Sequence, residues 1–140
     1  ENPGICKVYD VGEVNGKHYI SMQYIDGLSL RELSPSLSIL QKARIIKTAA
    51  ASLHAAHQLG IVHRDIKPSN IMIENDENGQ HNPIIMDFGL ASDTADDQSL
   101  TESGLVMGTA GFMSPEQASG NTKFLDRRSD IYSLGATLFD

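Results

Sequence analysis

Two short β-rich runs, Ile71-Met72-Ile73 and Ile84-Ile85-Met86, are flanked by polar strings that leave few folds open to this chain. His63-Arg64-Asp65-Ile66-Lys67-Pro68-Ser69-Asn70 leads into the first run, and the second leads out into Asp87-Phe88-Gly89. The polar stretch from Asn75 to Asn82, with Asn78-Gly79 inside it, reads as the turn between paired strands. The strands bracket the loop sequence and present Asp87-Phe88-Gly89 at their far end. Three oxygen-bearing side chains recur around them: Asp65, Asn70 and Asp87. Magnesium takes oxygen ligands and is commonly held by one or two protein groups plus substrate phosphates, a task that suits Asn70 and Asp87. A carboxylate at Asp65 can accept or orient the proton of an attacking hydroxyl, while Lys67 neutralises charge on a phosphoryl group in flight. Taken singly, loop Asp and Asn residues cap turns and loop Lys residues are solvated. The spacing of the whole set is what favours chemistry.

Upstream, Ile5, Val8 and Val11 precede Glu13-Val14-Asn15-Gly16, and Tyr19-Ile20-Ser21-Met22-Gln23-Tyr24-Ile25 follows. Asn-Gly between two β-rich runs predicts an antiparallel hairpin. Asp26-Gly27 breaks the second strand, and a short helical stretch is expected from Leu28 to Leu33, ending near Ser34-Pro35. A long helix should start at Ser38, because Ser38-Ile39-Leu40-Gln41 has capping-box spacing and Ile39, Ala43, Ile46, Ala50 and Leu53 step by threes and fours. Gly60 stops it. His54 and His57 stand three apart in that helix, but no third ligand lies nearby, so packed or hydrogen-bonded histidines are expected rather than a zinc site. From Ala91 to Gly108 the chain is polar and acidic and reads as a mobile loop. Ser129 to Phe139 is mostly apolar and reads as a buried helix.

Composition narrows the partners. A net charge of −7 argues against non-specific binding to nucleic acid or an anionic membrane. No apolar run is long enough to span a bilayer and no signal-peptide pattern opens the chain, so the expected location is cytoplasmic. The one cysteine, Cys6, has no internal disulfide partner and reads as a packing residue in a reducing compartment.

The strings His63-Arg64-Asp65-Ile66-Lys67-Pro68-Ser69-Asn70, Asp87-Phe88-Gly89 and Gly108-Thr109-Ala110-Gly111-Phe112-Met113-Ser114-Pro115-Glu116, in that order, resemble the catalytic loop, metal-binding loop and end of the activation segment of protein kinases. Ser114-Pro115-Glu116-Gln117-Ala118 and Asp130-Ile131-Tyr132-Ser133-Leu134-Gly135 resemble the bacterial eukaryotic-like Ser/Thr group. The resemblance runs essentially from end to end. It implies an α+β, two-lobe kinase-like fold, incomplete here: residues 1–25 as the end of the N-lobe sheet with the hinge, and 26–140 as the first part of a mainly helical C-lobe. It implies ATP and Mg2+ as cofactors and a protein substrate with a serine or threonine acceptor. By the same resemblance, Asp65 is the catalytic aspartate, Lys67 contacts the γ-phosphate, Asn70 and Asp87 are the magnesium ligands, and Thr109 helps shape the acceptor pocket. Met22 falls at the gatekeeper of the nucleotide pocket, Gln23 and Ile25 offer hinge backbone to adenine, and Met72 forms the floor beneath it. Val8, Phe88 and His63 match members of the stacked spine linking the lobes. Arg64 marks kinases controlled by loop phosphorylation, with Thr101 and Ser103 favoured as phosphosites over Thr94 and Ser99, and it leaves self-association for autophosphorylation open. Asp130 should brace the catalytic-loop backbone.

Other family features are not in this sequence. Gly12, Gly16 and Gly27 lack the spacing of a glycine-rich phosphate loop, and neither the strand lysine nor its helix glutamate is found. The expectation is therefore a piece of a kinase domain, inactive and poorly folded alone, with Ile131, Leu134 and Leu138 lacking partners. A membrane anchor outside it would make this a cytoplasmic domain of a membrane protein. Two further readings stay in play: a non-catalytic kinase-like binding module, and a small-molecule phosphotransferase of the same fold, which the stretch Gly108 to Glu116 disfavours.

Overall fold

In the computed structural model, residues 2–76, 79–88, 110–120 and 125–140 are described. The first element is the expected hairpin. Strand β1 (Val8–Val14) pairs antiparallel with β2 (Lys17–Met22), in a register running from Val8↔Met22 to Val14↔Lys17 with an irregularity between Val8 and Asp10. Asn15 (φ 53) and Gly16 (φ 75) both take left-handed backbone, as the tight turn requires.

A second sheet has the order β3-β4-β5, with β3 at Gly27–Ser29, β4 at Ile71–Asn75 and β5 at His81–Ile85. Here the Leu28 expectation fails. Gly27 to Ser29 is a strand, paired Gly27↔Glu74, Leu28↔Ile73 and Ser29↔Met72. The backbones approach so closely that a Cβ on Gly27 would lie 2.1 Å from the Ile73 carbonyl oxygen. The helical stretch begins only at α1 (Leu30–Leu33), where Ser29 and Glu32 form a capping box, and a 3-10 turn over Ser34–Ser36 follows. The turn between β4 and β5 is also shorter than expected, since Asn75, His81 and Asn82 are paired strand residues.

Helix α2 (Ile39–Gln58) starts at the predicted box, with Gln41 N–H donating to Ser38 Oγ at 3.3 Å and Ser38 N–H to Gln41 Oε1 at 2.9 Å. Beyond its C-terminus, Gly60 sits at φ 77. The buried stripe, however, is rotated. Ile45, Ile46, Ala49, Ser52, Leu53 and Ala56 face inward, while Ile39 is 80% exposed and Ala43 and Ala50 are open to solvent. Alanines on several faces blur the phase of the apolar pattern.

The inward stripe of α2 meets Ile71, Ile73 and Ile85 of the β4–β5 pair. Burying each such isoleucine contributes about 1.5–3 kcal/mol. The first residues add to this layer. Gly4 and Cys6 bond to both sides of Ile85, through Ile85 N–H to Gly4 O and Cys6 N–H to Ile85 O, each 2.9 Å. Gly4 is so close to α2 that a Cβ there would overlap Ser52 Oγ.

Further along the described residues lie α3 (Pro115–Ala118), capped by Ser114 and Gln117, and α4 (Arg127–Phe139), capped by Asp126. The expectation for α4 is only half met. Its buried side is mostly polar, with Ser129, Asp130, Ser133 and Thr137 alongside Leu134, which is 7% exposed and joins the main core. Ile131, Tyr132, Leu138 and Phe139 are exposed. Leu134 thus has the partners it was expected to lack, because the face of α4 turned toward α2 carries it. Among the described residues no helix is long and apolar enough to cross a membrane.

Candidate active site

The loop between α2 and β4 is built by alternation. His63, Ile66, Pro68 and Asn70 are buried, whereas Arg64 is exposed and Asp65 and Lys67 are half-buried. Ile66, 1% exposed, anchors the loop in the core and leaves the side chains on either side of it at the surface. There Lys67 Nζ lies 2.7 Å from Asp65 Oδ2. Asn70 Nδ2 donates to the same Asp65 Oδ2 and to the Asp65 backbone carbonyl, both at 2.9 Å. Three of the predicted residues are therefore brought together by local spacing.

These bonds also fix the orientation of the Asn70 amide. Its nitrogen faces Asp65, so Oδ1 faces the other way, where the nearest partner is Ser69 Oγ at 3.5 Å. An amide oxygen presented in this manner suits a hard cation. Asp87 follows β5 on exposed backbone at φ 60, and Met86 N–H donates to Asn70 O at 2.9 Å, which keeps the two strand ends adjacent. Among the described residues no group of three His, Cys, Asp or Glu side chains could hold a metal unaided. Asn70 and Asp87 fit Mg2+ in the manner that leaves the remaining positions to phosphate oxygens and water.

Behind the loop lies a buried polar brace. Asp130, 1% exposed, accepts from His63 N–H (2.8 Å) and His57 Nε2 (2.8 Å) at Oδ2 and from Arg64 N–H (2.7 Å) at Oδ1. Arg64 holds φ 70, a left-handed conformation that costs a non-glycine residue about 1–2 kcal/mol. The Asp130 bonds hold it there. His63 Nε2 donates to Met86 O at 2.7 Å and its Nδ1 accepts from Asp65 N–H at 3.1 Å, which assigns the neutral Nε2–H tautomer. Phe88 meets the His63 ring edge-on, with centroids 4.6 Å apart. Val8, expected in the same stack, is 48% exposed on the hairpin.

Of the predicted nucleotide-side residues, Met22, Ile25 and Met72 join a separate cluster with Cys6, Ile84 and Met86. Gln23 N–H donates to Lys7 O at 2.8 Å, and Gln23 O accepts a weak bond from the Cys6 thiol at 3.6 Å. Burial, with the Asp87 charge added, pushes the Cys6 thiol above its ordinary value, in keeping with the packing role it has in this cluster. On the opposite side of the loop, Phe112, Met113 and Gln117 line a shallow cleft with Arg64 and Asp65. Thr101, Ser103 and Thr109 lie outside the described residues.

Two residues mattered more than the sequence reading indicated. His57 stands 73 positions from Asp130, and no local pattern announces their pairing. Gln117 entered only as a family mark, yet its Nε2 donates to Arg64 O at 2.6 Å.

A mixed sheet-and-helix body with an aspartate, a lysine and an asparagine converging on one loop, beside a second aspartate at a strand end, defines a protein of the kinase-like fold. The chain belongs to the protein kinase domain family, whose model matches residues 1–140. It is 41% identical to the serine/threonine-protein kinase PknB of Mycobacterium leprae over 146 residues, covering 99% of this chain and 22% of that protein. The corresponding kinase of Mycolicibacterium smegmatis is 43% identical over 148 residues, with 99% and 23% covered. The chain thus spans about a fifth of the length of these curated relatives. The crystal structure of the Mycobacterium tuberculosis PknI kinase domain superposes with a TM-score of 0.72 at 26% identity, over 99% of this chain and 49% of that one. The bacterial Ser/Thr kinase resemblance and the incomplete kinase fold are therefore both established.

Proposed function

We propose that this chain supplies the catalytic-loop half of an ATP- and Mg2+-dependent transfer of phosphate to serine or threonine in proteins, with residues 1–25 as the N-lobe edge and hinge and 26–140 as C-lobe. The observation that carries the reading is the Asp65 carboxylate: Oδ2 is held by Lys67 and Asn70, and Oδ1 has no hydrogen-bond partner among the described residues. Oδ1 is then the atom that accepts or orients the proton of the acceptor hydroxyl. Lys67, 2.7 Å from that carboxylate, would balance charge on the phosphoryl group. Asn70 and Asp87 would hold Mg2+, which would supply neutralisation of charge on phosphate oxygens. The methionine-rich cluster of Met22, Met72 and Met86 supports an adenine site, since flexible thioethers fill irregular space against a flat ring. Gln23 and Ile25 would present hinge backbone to it. By the family resemblance, Arg64, which is exposed next to Asp65, would pair with a phosphate on Thr101 or Ser103, and Thr109 would shape the acceptor pocket.

The test is phosphate transfer from ATP to a serine/threonine peptide by the protein as its own cell produces it, before and after Asp65→Asn. Loss of the positioned base should lower kcat by about 10²–10⁴-fold with ATP binding retained. Undiminished transfer in Asp65→Asn would remove Asp65 from the chemistry. A protein that binds partners but transfers no phosphate would replace the reading with a non-catalytic kinase-like module.

A further inference from the structure

Asp65 is only as well placed as the peptide group that precedes it. That plane, between Arg64 and Asp65, is held at both ends: its N–H donates to His63 Nδ1 at 3.1 Å and its carbonyl accepts from Gln117 Nε2 at 2.6 Å. The Gln117 amide has no freedom to turn over. Its Oε1 accepts from Ser114 N–H at 3.1 Å, so a flip would set oxygen against the Arg64 carbonyl and N–H against N–H. The same side chain therefore closes the cap of α3 and reaches across to the loop.

A ring of contacts closes around Arg64. Its N–H donates to Asp130 Oδ1 at 2.7 Å, Ser129 Oγ donates to Glu116 Oε1 at 2.5 Å, and Glu116 is the neighbour of Gln117, which returns to the Arg64 carbonyl. Arg64 sits in the left-handed region at φ 70, where a side-chain-bearing residue stays only if its surroundings hold it. Asp130 fixes one peptide group of this residue and Gln117 the other.

We propose that Gln117 is a positioning residue: by tying the Arg64 carbonyl to the cap of α3, it sets the orientation of Asp65 and makes it depend on how the segment ending at α3 is seated. The proposal rests on the phosphotransfer reading for its kinetic consequence, but not for its structural one. Gln117 does not touch the reacting atoms. It acts through the 64–65 peptide, and a small rotation of that plane swings the Asp65 carboxylate away from Lys67 and Asn70. Misplacement on the scale of an ångström costs up to about a hundred-fold in rate.

Gln117→Glu isolates the bridge from the cap. The glutamate keeps an oxygen to accept Ser114 N–H and loses the donor to Arg64 O, putting a carboxylate against a carbonyl. Ser114→Ala is the contrasting variant, since it removes the Oγ that accepts Gln117 N–H at 3.4 Å and weakens the cap itself. Both are compared with the unchanged protein, in the form its own cell produces, by peptide phosphorylation, amide hydrogen exchange and thermal melting. For Gln117→Glu we expect kcat to fall by about ten- to a hundred-fold with KM for ATP and the melting midpoint unchanged. Exchange at the Arg64 and Asp65 amides should quicken by about ten-fold, the loss of roughly one such hydrogen bond, while amides 118–120 keep their protection. Ser114→Ala should do the opposite, lowering the midpoint and exposing amides 117–120. If Gln117→Glu leaves kcat and the exchange at Arg64 and Asp65 unaltered, or merely reproduces the Ser114→Ala pattern, Gln117 is a capping residue and the proposal is overturned. If the unchanged protein transfers no phosphate, the phosphotransfer reading falls while the exchange data still decide whether Gln117 holds the loop.

Discussion

Around Asp130, one buried carboxylate gathers hydrogen bonds from residues 66 to 73 positions earlier in the chain. In the β1–β2 hairpin the reverse holds: the strands are joined by neighbours in sequence, and most of their side chains, Val11 and Val14 among them, are exposed. The contrast shows where positional accuracy is kept. A charge that accepts from two backbone N–H groups in a low-dielectric interior leaves the Arg64 backbone little room to relax. A two-stranded ribbon with open faces is marginal by itself and takes its shape from what packs on it. The loop carrying Asp65 is thus held independently of the hairpin, whose base is closed by Gln23 N–H to Lys7 O and whose Met22 packs against Cys6, Ile25 and Ile84.

Removing the Asp130 carboxylate should have the largest effect. Asp130→Ala strands the N–H groups of His63 and Arg64 and the Nε2–H of His57 in the interior, a loss expected at about 3–5 kcal/mol. Net stabilities of domains run to about 5–15 kcal/mol, so this one change takes a large fraction. Asp130→Asn keeps the volume and one acceptor oxygen and should cost about 1–3 kcal/mol. Denaturant unfolding of the two variants checks the order. Equal stabilities would mean that the brace holds nothing. In the hairpin, Gly16→Ala places a Cβ at φ 75 with no atom within 4 Å of it, so only backbone strain opposes it, at about 1 kcal/mol. That loss should appear as faster amide exchange within residues 8–22 and leave His63 and Arg64 protected. Exchange that quickened equally in both places would join two regions kept separate here.

The same division governs what could be read before the structure. Asn15-Gly16, the Ser38–Gln41 box and Gly60 obey rules that operate over a few residues, and each lies where it was expected. Asp65, Lys67 and Asn70 converge for the same reason, being two and five positions apart on one loop. What failed was non-local. Gly27 to Ser29 becomes strand because β4 passes within reach, and the phase of α2 depends on a sheet formed from residues further on. The His57 partnership follows from the placement of Asp130 under a loop far away in sequence, while the other buried polar groups of α4 bond elsewhere, Ser129 to Glu116 and Ser133 and Thr137 to carbonyls of their own helix. A polar residue in an apolar helix gives no sign of which backbone it will serve.

The smallest expected effect tests the hairpin at the water's edge, where a side-chain tie joins its two strands. Tyr19 Oη donates to Asp10 Oδ2 at 2.7 Å, and its ring lies across Gly12, where an added Cβ would come within 2.8 Å. The bond to Asp10 holds the phenol above its ordinary value of 10.0, because ionising it would surrender the donated proton beside a carboxylate. A raised folded-state pKa means that the tie stabilises the hairpin fully below pH 10.0 and that this contribution disappears as pH rises through the folded value. Ultraviolet titration of the phenols should therefore show one that ionises late in the unchanged protein and returns to the ordinary range in Asp10→Ala. The buried brace should not respond, since Asp130 and its partners lie outside that contact. A Tyr19 that titrates identically in both proteins would mean the tie is not formed in solution and that backbone pairing alone holds the strands together.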